Sequence, residues 1–501
     1  MRELLGDKDN RRLQLVETIY LNPGISLDEL ANKFTLTTMQ IQIDIGFLNK
    51  PLAPLEIEIT KDKKCYLRIP QHLSTKIIYQ VFLENNINFK LLEAILYKEY
   101  DHYEELASEL FISQATLKRV ISFINDCFKP HGVSIKSRPV RIVGDEANIR
   151  AFYLFYLQER YPNDQYPFDK RIDVFSKELV NLFIEKFPAD KFNYASKMRM
   201  TRYVAVSLLR ETKRHEVKHG EIPKDLENLV TDEIERYTNK EKFEYVFKMS
   251  LTPELYQGLF LQYINYRHAF SNRDYHERIA LVSDNRIIYE GLKTTVESIG
   301  EQFDITLTHP ENLLLRLYNV MSLGAHLTIT PYVIYPNRKI FLLFSQSLKA
   351  TILEQSKTSF MQHVPMVAER NDAYFYEFLY LLVTHWPDFY QKIIYQVPPC
   401  EVGLFFNSDV EHMHYMKANL SFLYGDKIKV TVIDSEELES LPEKSRMLDL
   451  LIINFILPEK ITLNLPYVSV VDGLSEDENK QIRNLIDKIY YDKMYRKRFE
   501  K

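Results

Sequence analysis

Within seven residues, Ser113 to Arg119, the chain carries two hydroxyls, an amide and two cations: Ser113, Gln114, Thr116, Lys118 and Arg119. An amide side chain can pair with a base edge, and Lys or Arg can reach guanine or a phosphate. Further on, Lys136, Arg138 and Arg141 are interleaved with Ile135, Val140 and Ile142. That alternation is a hairpin pattern with a basic edge. The chemistry suits nucleic acid, where phosphate contacts supply affinity and base contacts supply specificity.

Such groups need a helix to hold them. From Tyr103 to Glu146 the text reads as a helix-turn-helix followed by a hairpin, VSIKS then RPVRIVG. Ala107 is small enough to sit where two helices cross, and Leu106, Leu110, Ile112, Leu117 and Val120 supply the apolar seam. Ser113 is placed to cap the second helix by accepting a backbone N–H bond. The helix then turns Gln114, Thr116, Lys118 and Arg119 outward.

The same pattern occurs once before. Glu29-Leu30-Ala31, then Phe34, Leu36 and Thr37, match Glu105-Leu106-Ala107, then Leu110, Ile112 and Ser113, at an offset of 76 residues. A repeat of this size points to two tandem winged helices. The first hairpin reads LEIEIT, a turn Lys61-Asp62-Lys63-Lys64, then CYLRI. Lys63 and Lys64 are its candidate phosphate contacts, and Thr37, Thr38 and Gln40 its candidate base contacts. Its second helix, from Thr37 to Asp44, has no Lys or Arg, and Asp44 stands where the second copy has Val120. That helix either contacts bases through Thr and Gln or is mostly structural, so the second module is expected to be the main reader.

Net charge is −5 over 501 residues, which by itself argues against a nucleic-acid partner. The average hides a polarised field. Residues 1–150 hold 20 basic and 20 acidic side chains, and Lys118 to Arg150 hold seven basic against three acidic. The length implies several domains. No apolar run approaches the roughly 20 residues of a membrane helix, and MRELLGDKDNRRLQL has no apolar secretion core. Cys65, Cys127 and Cys400 are too widely separated for a disulfide framework or metal site, which fits a reducing cytoplasm. No phosphate-cradling glycine loop and no metal-protease spacing occurs. His412 and His414, two apart, would point to different sides of a helix. The carboxylate pairs Glu104-Glu105 and Glu436-Glu437 lie in polar stretches. No catalytic residue, metal ligand or cofactor is assigned, and an enzyme is not expected.

The fold class expected is multidomain and mainly α. Residues 1–70 form the first module. Residues 71–165 form a connector and the second module, followed by an aromatic helix, AFYLFYLQERY. The boundary falls at Tyr161-Pro-Asn-Asp-Gln-Tyr-Pro167, since proline ends helices and Asn-Asp favours turns. Apolar spacing of three and four then predicts helices across a long block. MRMTRYVAV and LLLRLYNVM align within it at an offset near 115, dividing it into bundles at 166–282 and 283–396. Residues 397–501 alternate short Val- and Ile-rich strands with helices, a small α/β domain with a mostly parallel sheet.

This order of parts resembles the Mga and AtxA group of regulators of Gram-positive bacteria. The most specific text is ELASELFISQATLKRVISFIN through RPVRIVGDEANIRAFY. The resemblance implies promoter DNA as partner, transcription regulation and self-association, usually as a dimer. It implies two central helical domains like those regulated by the sugar phosphotransferase system (PRD domains) and a C-terminal domain like the IIB component of that system. Phosphocarrier proteins would then be partners, with His215, His268 and His326 as candidate phosphorylation sites. His219, beside Gly220, is expected in a turn. Two departures stand out. No His lies near Val320, where related domains often place one. CEVGLFF is followed by Asn407-Ser408-Asp409, without the cysteine and glycine of an active IIB loop, and Cys400 lies at the wrong end of its strand. A phosphotransfer protein and an RNA-binding antiterminator are the alternatives. The degenerate loop counts against the first, and the two helical hairpins, in place of a small β-rich RNA module, count against the second.

Overall fold

The computed structural model describes all residues except 162–166, 188–191, 218–221, 278, 345–352, 370–371, 388, 390–397, 435–436, 472 and 497–501. Most of the boundary at 161–167 therefore lies outside the described residues, as do His219 and Glu436. The chain packs as two compact units. One gathers Met1–Lys293, Leu314–Ile340 and Val364–Phe378; the other gathers Thr294–Leu313, Phe341–His363 and Leu379–Lys501.

The first unit begins with α1 (Gly6–Leu21), β1 (Ile25–Ser26), α2 (Leu27–Phe34), α3 (Thr38–Leu52), β2 (Glu56–Ile59) and β3 (Lys64–Arg68). It continues with α4 (Lys76–Asn85), α5 (Ile87–Tyr97), α6 (Tyr103–Glu109), α7 (Gln114–Phe128), β4 (Val133–Ser137), β5 (Val140–Gly144) and α8 (Glu146–Arg160). Two helix pairs, α2–α3 and α6–α7, are thus each followed by an antiparallel hairpin.

The two pairs turn in the same way. Thr35 and Phe111, 76 residues apart, both adopt left-handed backbone (φ 54° and 55°). The next residue in each donates to the small residue of the preceding helix, Leu36 to Ala31 and Ile112 to Ala107, at 2.9 and 3.0 Å. Asn49 and Asn125, again 76 apart, each clamp the first strand of the following hairpin. Asn49 exchanges two hydrogen bonds with the Ile57 backbone, and Asn125 does so with Ile135. The first hairpin differs from expectation in two ways. Lys64 is the first residue of β3 rather than part of the turn, and β1 adds a third strand beside β3.

Helices follow: α9 (Lys170–Ile184), α10 (Tyr194–Glu211), α11 (Lys224–Arg236), α12 (Lys240–Phe247), α13 (Pro253–Leu259), α14 (Asn272–Glu277), α15 (Ser283–Phe303), α16 (Pro310–His326), α17 (Asn337–Phe344), α18 (Leu353–His363), α19 (Pro365–Ala368) and α20 (Asp372–His385). The two stretches aligned at offset 115 both lie in helices, α10 and α16. A buried ionic joint ties α8 to α10. Glu146 accepts from Arg150 and Arg210, and Arg150 also reaches Glu211 at 2.7 Å. Both guanidiniums are fully enclosed, so each needs these partners to be tolerated in the core. The segment after α16 is strapped to α8: Glu159 accepts the backbone N–H groups of Val333, Ile334 and Tyr335.

The second unit ends in β6 (Cys400–Phe405), α21 (Val410–Tyr424), β7 (Ile428–Val432), α22 (Leu441–Lys444), β8 (Leu450–Ile453), β9 (Tyr467–Ser469) and α23 (Glu476–Arg496). The strands form one parallel sheet in the order β7-β6-β8-β9. Leu450 to Ile453 are all buried, as expected of a strand covered on both faces. Among the described residues no helix is long and apolar enough to cross a membrane.

Candidate nucleic-acid interface

In the second module, α7 buries Leu117, Val120, Ile121, Ile124 and Phe128, which fixes the rotation of the helix. The opposite side follows by geometry: Gln114, Lys118 and Arg119 are exposed and Thr116 is half-buried. Ser113 caps the helix, accepting the Thr116 N–H at 3.1 Å. Gln114 donates to Glu104 at 2.9 Å, so base contact would have to break an exposed, weak bond. Lys118 makes no ion pair among the described residues.

The hairpin places Lys136 directly opposite Arg141, with Arg138 at the tip. Lys136 and Arg138 are exposed. Arg141 is not free. An antiparallel bridge between Tyr100 and Val140 sets Glu99 beside it, and the carboxylate meets the Arg141 guanidinium at 3.4 Å. The same carboxylate meets His215 Nε2 at 2.6 Å. Gly144 ends β5 with φ 135°, and a Cβ there would lie 2.1 Å from the Gly132 carbonyl oxygen, so only glycine fits.

The first module is organised differently. Thr37 and Gln40 are joined in a reciprocal capping box, each satisfying a backbone N–H of the other, with Thr38 half-buried behind them. Asp44 is buried. It accepts from Arg12 at 2.9 Å and from Arg11 at 2.9 Å, both on α1. Its substitution for Val120 is therefore an ion-paired core position. The outer face of α3 carries Met39, Ile43 and Phe47, which are 68%, 59% and 55% exposed. The Arg12 guanidinium covers one side of Phe47 at 3.6 Å. Lys61, Lys63 and Lys64 are exposed at the hairpin, with Lys64 3.5 Å from Asp62. The apolar face was missed from the sequence, where its signal is Met39, Ile43 and Phe47 at four-residue spacing; the Arg11 and Arg12 partners of Asp44 leave no local signal, since they lie 33 and 32 residues away.

The candidate histidines are scattered. His215 follows α10 and, far from being solvated, is held by Glu99. Burial and then Arg210 push its pKa down, against the pull of Glu99. His268 packs against Tyr263 and Phe270, with ring centroids 5.4 and 4.6 Å away. His326 ends α16. Cys400 is enclosed in β6, and burial pushes its thiol up to about 12, far from the thiolate that phosphotransfer needs.

Residues 71–157 match the family profile of the Mga helix-turn-helix domain. Over 488 residues the chain is 22% identical to a Streptococcus pneumoniae protein named as a trans-acting regulator, covering 95% of this chain and 97% of that one. It is 20% identical over 490 residues to the anthrax toxin expression trans-acting positive regulator of Bacillus anthracis, covering 93% and 95%. With the capsule synthesis positive regulator AcpB of the same organism it shares 22% over 321 residues, 62% of this chain and 66% of the relative. These matches bear out the resemblance to the Mga and AtxA group.

Proposed function

We propose that this Mga/AtxA-like regulator binds double-stranded promoter DNA through two tandem winged helices and acts as a positive transcription regulator, as the names of its relatives describe them. The second module inserts α7 into the major groove, where Gln114, Thr116, Lys118 and Arg119 face the bases and flanking phosphates. Lys136 and Arg138 hold phosphate from the wing, with Arg141 available once released from Glu99. Thr37, Thr38, Gln40, Lys63 and Lys64 serve the first module. The chain works in the cytoplasm as a homodimer. It comprises the two modules at 1–70 and 71–165, PRD-like bundles at 166–282 and 283–396, and a IIB-like domain at 397–501. Phosphocarrier proteins tune it by phosphorylating His215, His268 or His326, each event adding charge and acceptor oxygens at its site.

The observation that carries this reading is the outward row on α7, with Gln114, Lys118 and Arg119 exposed while Leu117, Val120, Ile121, Ile124 and Phe128 lock the opposite side into the core. The test is titration of duplex DNA across a salt series with the full chain and Lys118→Ala/Arg119→Ala. Loss of about tenfold or more, with a shallower salt slope, is expected for two lost contacts of roughly 1–3 kcal/mol each. Unchanged affinity in the folded double variant refutes α7 as the reader.

A further inference from the structure

At the repeat offset of 76 residues, Met39 takes the place of Ala115, Gln42 that of Lys118, Ile43 that of Arg119, and Phe47 that of Phe123. The two helices share the same cap position, the same left-handed turn before it and the same Asn clamp after it. Their outer faces are therefore in equivalent places, yet both cations of α7 are replaced, one by an amide and one by an apolar side chain. Met39 and Ile43 stand out in solvent within the first two turns, the part of such a helix that meets base edges. An apolar side chain there has one apolar feature of the major groove to meet, the C5-methyl of thymine, and a Gln beside it suits the N6 and N7 edge of adenine.

The charges around the face agree with this occupant. Asp44, the acidic residue on the helix, is buried and neutralised by Arg11 and Arg12, so α3 itself turns no bare carboxylate toward the phosphates. Lys61, Lys63 and Lys64 are exposed on the adjoining hairpin and can hold the backbone while α3 reads without charge.

We propose that the first module reads thymine methyl groups, with Met39 and Ile43 packing on the methyls and Gln42 on a neighbouring adenine. This rests on the reading of the chain as a tandem DNA reader. It adds a division of labour: α7 contributes charge, and α3 contributes methyl recognition.

The probe is duplex DNA enriched by the full-length chain from a random-sequence pool, then resynthesised with deoxyuridine for thymidine. The exchange removes methyls and keeps the pairing edges. Affinity is expected to fall about tenfold, from about fourfold for each methyl removed from water. In the surface variant Met39→Gln/Ile43→Gln the two duplexes should bind within about twofold of each other, the methyl contribution having gone. Equal binding of both duplexes by the parent chain, with binding still dependent on Lys118 and Arg119, overturns methyl reading and leaves the DNA-binding proposal standing. Undiminished discrimination by the variant assigns the methyls to other residues and also overturns it. So does a variant whose oligomeric state changes while its discrimination does not, since the face would then dock protein. Failure of the parent chain to enrich or bind any duplex defeats the underlying reading itself.

Discussion

Thr35 and Phe111 make the same left-handed turn, Thr37 and Ser113 cap the next helix, and Asn49 and Asn125 pin the next hairpin. Yet over their first two turns α3 and α7 place their charges on opposite sides. In α3 the ionic group faces inward, Asp44 against Arg11 and Arg12, and the apolar residues face out. In α7 Val120 lies inside and Lys118 and Arg119 lie outside. Turn, cap and clamp are enough to specify the unit, so the side facing solvent is at liberty to diverge. The buried side exchanges one apolar residue for another along its length, and takes a charge at Asp44, where α1 supplies two arginines as partners.

The largest effect should come from breaking that supply. Asp44→Ala leaves the buried Arg12 with only its longer contact to Asp9, at 3.7 Å, and should cost about 3 kcal/mol of stability, whereas Val120→Ala at the matching position should cost roughly 1–2 kcal/mol. Urea unfolding of the two variants measures both. Equal losses would mean that the ion pair adds nothing beyond side-chain volume. Next is Gly144→Ala. Its Cβ would strike the Gly132 carbonyl, and the backbone there is strained for any L side chain. The second hairpin should be destabilised by about 2–3 kcal/mol. The hairpin of the first module ends on Arg68 and has no such point of failure.

A smaller effect tests the sameness of the modules. Asn49→Ala and Asn125→Ala each remove two hydrogen bonds to a strand, and each should cost about 1–2 kcal/mol. Near-equal losses in thermal unfolding would confirm that the clamps are equivalent. A large loss at one alone would show that only that hairpin depends on its helix.

How much of this was legible follows from range. The helix pairs, their caps and the hairpins are written locally: Ala107, Ser113 and the alternation in VSIKS and RPVRIVG each act within a few residues. The parallel C-terminal sheet was legible for the same reason, through short apolar runs separated by helices. The groups that set the character of the interface act at a distance. Asp44 looked like a missing Val because Arg11 and Arg12 sit on another helix. Arg141 looked like a free wing cation because Glu99 approaches it from a segment 42 residues earlier. His215 follows Lys213 and Arg214 in the sequence, with nothing local to show that a carboxylate 116 residues away holds it. Residue type announces a charge; only the fold decides what neutralises it.

The smallest predicted effect concerns one such neutralised charge, the wing cation with no counterpart in the first module. Glu99 competes with DNA phosphate for Arg141, so Glu99→Gln should raise DNA affinity. The pair is partly exposed and 3.4 Å apart, worth roughly 0.2–1 kcal/mol, so the gain is at most about fivefold. In the background Arg141→Ala the gain should vanish, which separates release of Arg141 from a general loss of negative charge. The same substitution carries a pH signature. Around His215 stand Arg210, Glu146 and Glu99, and Glu99 is also faced by Arg141 and Lys213. A His held below its ordinary 6.5 is neutral in the fold, so the unfolded chain binds the proton more readily. Its stability contribution is present above that pH and is lost as pH falls below it. Glu99 supports the imidazolium, and without it His215 is depressed further. The Glu99→Gln chain should therefore lose more stability than its parent between pH 6.5 and 5, followed by thermal unfolding, while binding DNA more tightly at neutral pH. If its acid sensitivity instead matched the parent's, Glu99 would not be the group that governs His215, and the link between wing and helical bundle would have to run through Glu146 and Arg210 alone.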